Sequence, residues 1–198
     1  MTLAGVAGIA DAVGYLSMGG VFAANMTGNT VLAGIAMAQH DYQGSWHHLA
    51  PLVSFFAGAV LSRLMLRLSG QPTLGLIIEA LLIAGLGFLP LAAEPQVLIL
   101  AVAMGIQASA ITHFEGIAIS TVVVTSSLAR TADALADRCT GHRTQPAMPV
   151  IAKPWLLAFT WVSYLVGAVA GAWLVTLLHW PLLVPAALLG LLLLARRR

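Results

Sequence analysis

Polar residues set inside apolar sequence are the ones with chemistry to do in a chain that is 60% hydrophobic and only 8% charged. The stretch VFAANMTGNTVLAG (21–34) places Asn25, Thr27, Gly28, Asn29 and Thr30 in the middle of a hydrophobic run. Gly and Asn tolerate backbone angles closed to other residues, and Asn or Thr can cap a new helix, so this cluster predicts a break. Irregular backbone at membrane depth survives only against protein or a water-filled cavity, which makes the break a candidate cavity lining. The alternative is a polar patch satisfied inside a helix bundle without any ligand, since Ser, Thr and Asn also join helices to one another. A second run carries the matching feature ISTVVVTSSLA (119–129), with Ser120, Thr121, Thr125, Ser126 and Ser127.

Ionisable groups within apolar sequence come next. Asp11 lies about 12 Å into the first run if that run is helical, and a charge at such depth costs about 2.5 to 3.5 kcal/mol or more. No Lys or Arg accompanies it in the same segment. Its expected partners are therefore polar, Gln107 or the Asn and Thr groups of the break, and its expected role is proton-responsive coupling. Glu79, in LIIEALLIAG (76–85), is enclosed in the same way. Glu115 and His113 reach the cytoplasmic interface on a straight fourth span and stay deep only on a broken one. Catalytic chemistry has little to work with. His47 and His48 are adjacent rather than one helical turn apart, and with His40 and Asp41 they suit a solvated loop better than a weak metal site. There is no nucleophile elbow, phosphate-binding glycine loop or paired-carboxylate site in the sequence. A protein that is not an enzyme, with no cofactor and no metal, is expected.

The elements that position these residues follow from length. Apolar runs of about 20 residues, enough to cross a bilayer, begin at Leu3, Leu49, Thr73, Gln96, Trp155 and Pro181. Six spans leave no room for a separate soluble domain, because the longest polar stretch is 130–153; Cys139, the lone cysteine, lies in it. The first run is read as a retained span, having no basic residue before it and no polar break after a cleavage site. With six spans, Arg63, Arg67, Arg130, Arg138, Arg143, Lys153 and Arg196 to Arg198 all fall on one side, while His40, Asp41, His47, His48, Glu94 and His179 fall on the other. Basic loops stay in the cytoplasm, so a multi-pass protein of the bacterial inner membrane with both termini cytoplasmic is expected. The terminal arginines read as an anchor near anionic lipid rather than a nucleic-acid patch. Two runs are too long for one crossing. Residues 3–38 as a straight helix would measure about 54 Å, against roughly 30 Å of hydrocarbon, and residues 96–129 about 50 Å. Each is expected to be interrupted where its polar cluster lies, or followed by a re-entrant or interfacial half-helix.

The chain also repeats itself. VSFFAGAVLS (53–62) and VSYLVGAVAG (162–171) share Val, Ser, Gly, Ala and Val in register, with Phe55 matched by Tyr164. Small residues at intervals of four, Ser54, Gly58 and Ser62 in one and Ser163, Gly167 and Gly171 in the other, let helix backbones approach closely. Three spans per repeat is an odd number, so the second repeat enters from the opposite face. Inverted repeats with a discontinuous helix in each half point to a secondary transporter with its site near the midplane.

Two longer stretches carry a family resemblance. AGIADAVGYLSMGGVFAANMTGNTVLAG and GIQASAITHFEGIAISTVVVTSSLARTADALAD resemble the two signatures of the YoaK family of small bacterial membrane proteins, a domain of unknown function. Asp11, Asn25, Met26, Thr27, Gly28, Asn29, Gln107, Thr121, Thr125 and Asp133 stand on the family pattern; Ala108, Thr112, His113 and Ser126 depart from it. The resemblance implies a membrane location and no established activity. The expected fold is all-α, six transmembrane helices in a single membrane domain of two inverted three-helix repeats, about 1–95 and 96–198, with the first and fourth helices broken. The expected function is alternating-access transport of a small solute at Asp11, Asn25, Thr27, Gly28, Asn29, Gln107, Thr121 and Thr125, with Glu79 and Glu115 as secondary candidates. The expected partners are membrane lipid and an unidentified solute, not nucleic acid, with a homo-oligomer left open. A non-transporting membrane protein packed with a partner is the other reading.

Overall fold

A computed structural model of the chain describes residues 1–71, 73–89, 91–111 and 154–195, and every regular element among them is an α-helix. In chain order these are α1 (Thr2–Ser17), α2 (Met26–Ala38), α3 (Tyr42–Ser69), α4 (Thr73–Phe88), α5 (Ala93–Ile111), α6 (Pro154–Leu177) and α7 (Leu183–Ala195). Three of them, α3, α5 and α6, are long and apolar enough to cross a membrane; α1, α2, α4 and α7 are shorter apolar helices. The second polar cluster, with Thr121 and Thr125, and the region of Glu115 and Asp133 lie outside the described residues.

The first long run divides as its excess length requires. The break, however, occupies residues 18–25 and so begins upstream of the Asn and Thr cluster. Glycines cause it. Gly19 and Gly20 have φ of 84° and 76°, angles that side-chain-bearing residues rarely adopt, and the Gly20 N–H turns back to the Tyr15 carbonyl to close α1. Asn25 then starts α2 as its N-cap, its Oδ1 accepting from Gly28 N at 3.1 Å. Thr27, Gly28 and Asn29 are thus helical, in the first turn of α2, and not unwound.

Between α2 and α3 the chain needs only residues 39–41. Asp41 caps α3, its Oδ1 accepting from Gly44 N at 2.8 Å, so His47 and His48, expected on a loop, stand on the helix. At its other end α3 stops on Gly70, whose φ of 64° is the left-handed helix cap.

Helix packing is governed by glycine rather than by bulk. Helix α1 packs along α6, α5 along α3, and α4 against both α5 and α7, while α2 lies on α3. A Cβ built on Gly8 would overlap the Tyr164 carbonyl oxygen, and one on Gly167 would overlap the carbonyl of Gly5. On the other helix pair, a Cβ on Gly105 would overlap the Phe55 carbonyl and one on Gly58 the Val102 carbonyl. Backbones in such contact leave room for no side chain between them. Large apolar groups point the other way. Phe56, Val60, Leu64 and Leu68 on α3 and Val162, Val166, Val169 and Trp173 on α6 are exposed, an outer surface suited to lipid. The interior holds Val6, Val13, Leu76, Ile83, Leu100 and Leu189, all essentially without exposure.

Candidate functional site

Asp11 sits on the inward face of α1 and is 2% exposed. Its Oδ1 accepts from the backbone N–H of Ala24 at 2.6 Å and of Asn25 at 3.1 Å, the last two residues of the break. Its Oδ2 accepts from the Tyr164 hydroxyl of α6. One carboxylate therefore ties α1, the unwound segment and α6 to one point. Helix starts expose N–H groups and favour negative charge, so Asp11 lies where an anion is stabilised at the entry to α2.

Asn29 secures the same segment from the α2 side. It is fully buried, its Oδ1 accepts from Phe22 N at 2.9 Å, and its Nδ2 donates to Phe22 O at 2.7 Å. The side-chain amide thus replaces the partner a sheet or helix would supply to Phe22. The Phe22 ring stacks on Tyr15 with centroids 4.9 Å apart, and it fills the space over Gly28, where a Cβ would lie 2.9 Å from the ring. Gly14 lets the returning chain lie on α1, since a Cβ there would stand 2.8 Å from the Val21 carbonyl oxygen. From α3, His47 Nε2 lies 3.0 Å from the Gly19 carbonyl oxygen; with its proton on that nitrogen the imidazole donates to the turn.

The residues singled out in the sequence are therefore only partly together. Asp11, Asn25, Gly28 and Asn29 surround the break, but Asn25 reaches Asp11 with its backbone N–H rather than its side chain. Thr27 is exposed on α2. Gln107, one of the alternative partners considered for Asp11, donates from Nε2 to the Leu3 carbonyl at 3.1 Å; it is buried, and among the described residues its Oε1 has no hydrogen-bond partner. Glu79 is buried on α4, and neither of its oxygens is hydrogen-bonded among the described residues. Thr121, Thr125 and Glu115 lie outside the described residues. Tyr164 and His47 join the site without having been assigned to it. The Tyr164 signal was present in the repeat, where a hydroxyl is added at the position Phe55 holds in the other copy. Among the described residues no three His, Cys, Asp or Glu side chains group as a metal site.

Over residues 1–195 the sequence matches the family described as protein of unknown function (DUF1275). It is 31% identical over 174 residues to the UPF0700 transmembrane protein YoaK of Bacillus subtilis (strain 168), an alignment covering 82% of this chain and 76% of that one. No solved structure matches it.

Proposed function

The chain belongs to the DUF1275 family, and on that premise we propose that this membrane protein is a small-solute secondary transporter rather than an enzyme. It is built of two inverted repeats and works by alternating access. The observation that carries the reading is the reciprocal packing of its helices. Helix α1 lies on α6 as α5 lies on α3. The contacts correspond residue by residue: Gly8 meets the Tyr164 carbonyl and the Ala168 nitrogen, and Gly105 meets the Phe55 carbonyl and the Ala59 nitrogen. Gly167 meets Gly5, and Gly58 meets Val102. One constant shift along the chain relates Gly5 to Val102 and Gly8 to Gly105; another relates Phe55, Gly58 and Ala59 to Tyr164, Gly167 and Ala168.

Such an exchange of partners is what two copies of one unit produce about a pseudo-two-fold axis, with α1, α3 and α4 answering to α5, α6 and α7. Transporters of this build place their site where discontinuous helices meet. Here the interrupted α1–α2 segment, held by Asp11, Asn29 and Tyr164, is one half of that meeting point. Under the same correspondence Asp11 and Tyr164 answer to Ala108 and Phe55, so the polar pair exists in one half only, and solute or coupling ion is recognised asymmetrically.

Six crossings place α1, α4 and α7 in the bilayer as well, at about 20 to 24 Å each. Mismatch of that size is met by local thinning and by flanking interfacial residues. Purified protein in liposomes, screened for counterflow over small metabolites, tests the reading. Saturable exchange of one solute, lost in a Gly8→Leu chain that pries α1 from α6, is the expected result. A folded protein that exchanges none of them would favour a non-transporting membrane protein packed with a partner.

A further inference from the structure

Glu79 faces inward from α4 along with Gly75, Leu76, Ile83 and Leu86, and it has no exposed surface. Among the described residues, neither of its carboxyl oxygens has a hydrogen-bond partner. Among the described helices, α3, α5 and α7 pack against α4. The titratable and charged groups they bring are Tyr42, His47, His48, Arg63 and Arg67 on α3 and Glu94 on α5, with none on α7; no Glu79 oxygen is bonded to any of them. One turn away, at Gly75, the neighbours are the Ser62 hydroxyl and the side chains of Ile106 and Ala110, each 3.4 Å from where a Cβ would stand.

A bare carboxylate without donors is not a stable occupant of such an interior, because nothing there replaces the water it has lost. It must carry a positive partner. A metal cation would need several oxygen ligands around it, and among the described residues no other carboxyl or hydroxyl is bonded to this group, so the partner with the right demand is a single proton. Asp11 is the contrasting case, since both of its oxygens already accept hydrogen bonds.

We propose that Glu79 is the proton-exchange site of this chain, loaded in the conformation described here and emptied when water reaches α4 in another. Its use as the coupling group rests on the transporter reading; its occupancy by a proton does not. Asp11 then holds the broken helix in place, and Glu79 exchanges the proton.

The test is modification by dicyclohexylcarbodiimide, an apolar reagent, on the full-length protein in detergent micelles. A protonated carboxyl adds across the reagent: its oxygen bonds to the central carbon, its proton passes to a nitrogen, and the acyl group then shifts to nitrogen with nothing lost. Mass spectrometry should find one adduct on the peptide containing Glu79 and none on Asp11. The adduct should be absent from Glu79→Gln, and labelling should fall several-fold between mildly acidic and alkaline buffer. An unlabelled Glu79 in folded protein, when the same peptide labels after denaturation in acid, would overturn the proposal. Equal labelling in both buffers would also overturn it, by making the proton a permanent fixture. Because the readout needs no solute, a chain that labels as expected but exchanges nothing in liposomes refutes transport and leaves the proton site standing.

Discussion

Asp11 and Glu79 are both buried carboxyls, and what separates them is the supply of donors. Asp11 has two backbone N–H groups and a phenol; Glu79 has none among the described residues. Replacing Tyr164 by Phe leaves Oδ2 of Asp11 without its donor, a loss of roughly 1 to 3 kcal/mol. It should lower the midpoint of thermal unfolding in detergent, followed by tryptophan fluorescence. Asp11→Asn should fold, since its amide oxygen still accepts from Ala24 and Asn25 while its nitrogen donates to the Tyr164 oxygen. The two changes combined should cost less than their sum, because they act on one contact; strict additivity would mean that the phenol and the carboxylate do not support each other. A second pair of substitutions separates the two asparagines of the break. Asn25→Asp keeps a good N-cap and should shift the midpoint little. Asn29→Asp retains an acceptor for the Phe22 N–H but turns a carboxylate oxygen toward the Phe22 carbonyl, and should destabilise by about 2 kcal/mol or more. Equal effects at the two positions would contradict the amide's double hold on Phe22.

At the scale of elements, glycine has two separate uses that the sequence alone does not distinguish. Gly8 and Gly105 sit where another helix's backbone occupies the space of a side chain, whereas Gly34, on α2, has nothing within 4 Å of its missing Cβ. Gly8→Ala and Gly105→Ala should each destabilise by roughly 1 to 3 kcal/mol, the cost of overpacking. Gly34→Ala should be neutral or gain up to about 1 kcal/mol from helix propensity. The paired losses at Gly8 and Gly105 should match each other, since their surroundings correspond; a large loss at one and none at the other would break the correspondence between the helix pairs. The same distinction explains what could be read beforehand. A break in the first run was legible, because the run is too long to be one span and contains Asn and Gly. Its position was not. Asn25 and Asn29 draw attention as turn formers, yet Gly19 and Gly20 do the unwinding, while the asparagines start and brace the next helix. Tyr164 was legible only as a repeat residue, since periodicity carries no information about which distant carboxyl its hydroxyl meets.

For the whole molecule, the class was written in composition, and the matching segments 53–62 and 162–171 turned out to lie on α3 and α6, the helices whose glycines meet α5 and α1 in equivalent ways. Their partners were invisible in the sequence because close backbone contact needs only a small residue on one side, and the chain has 19 glycines from which to choose. Orientation in the bilayer is argued from charge, since loops rich in Lys and Arg stay in the cytoplasm. The short connection at 39–41 sharpens that argument, because α2 and α3 are joined so tightly that the end of one and the start of the other share a level. His40 and Asp41 mark this level, with Trp46 exposed one turn into α3 as an interfacial aromatic would be. Arg63 and Arg67 lie toward the far end of α3, a helix long and apolar enough to cross a bilayer between them and His40. A reporter active only in the cytoplasm should work when fused after Arg198 and fail when inserted at His40; one active only outside should do the reverse. If both positions report the same compartment, six crossings are wrong, and the inverted relation between the two halves falls with them.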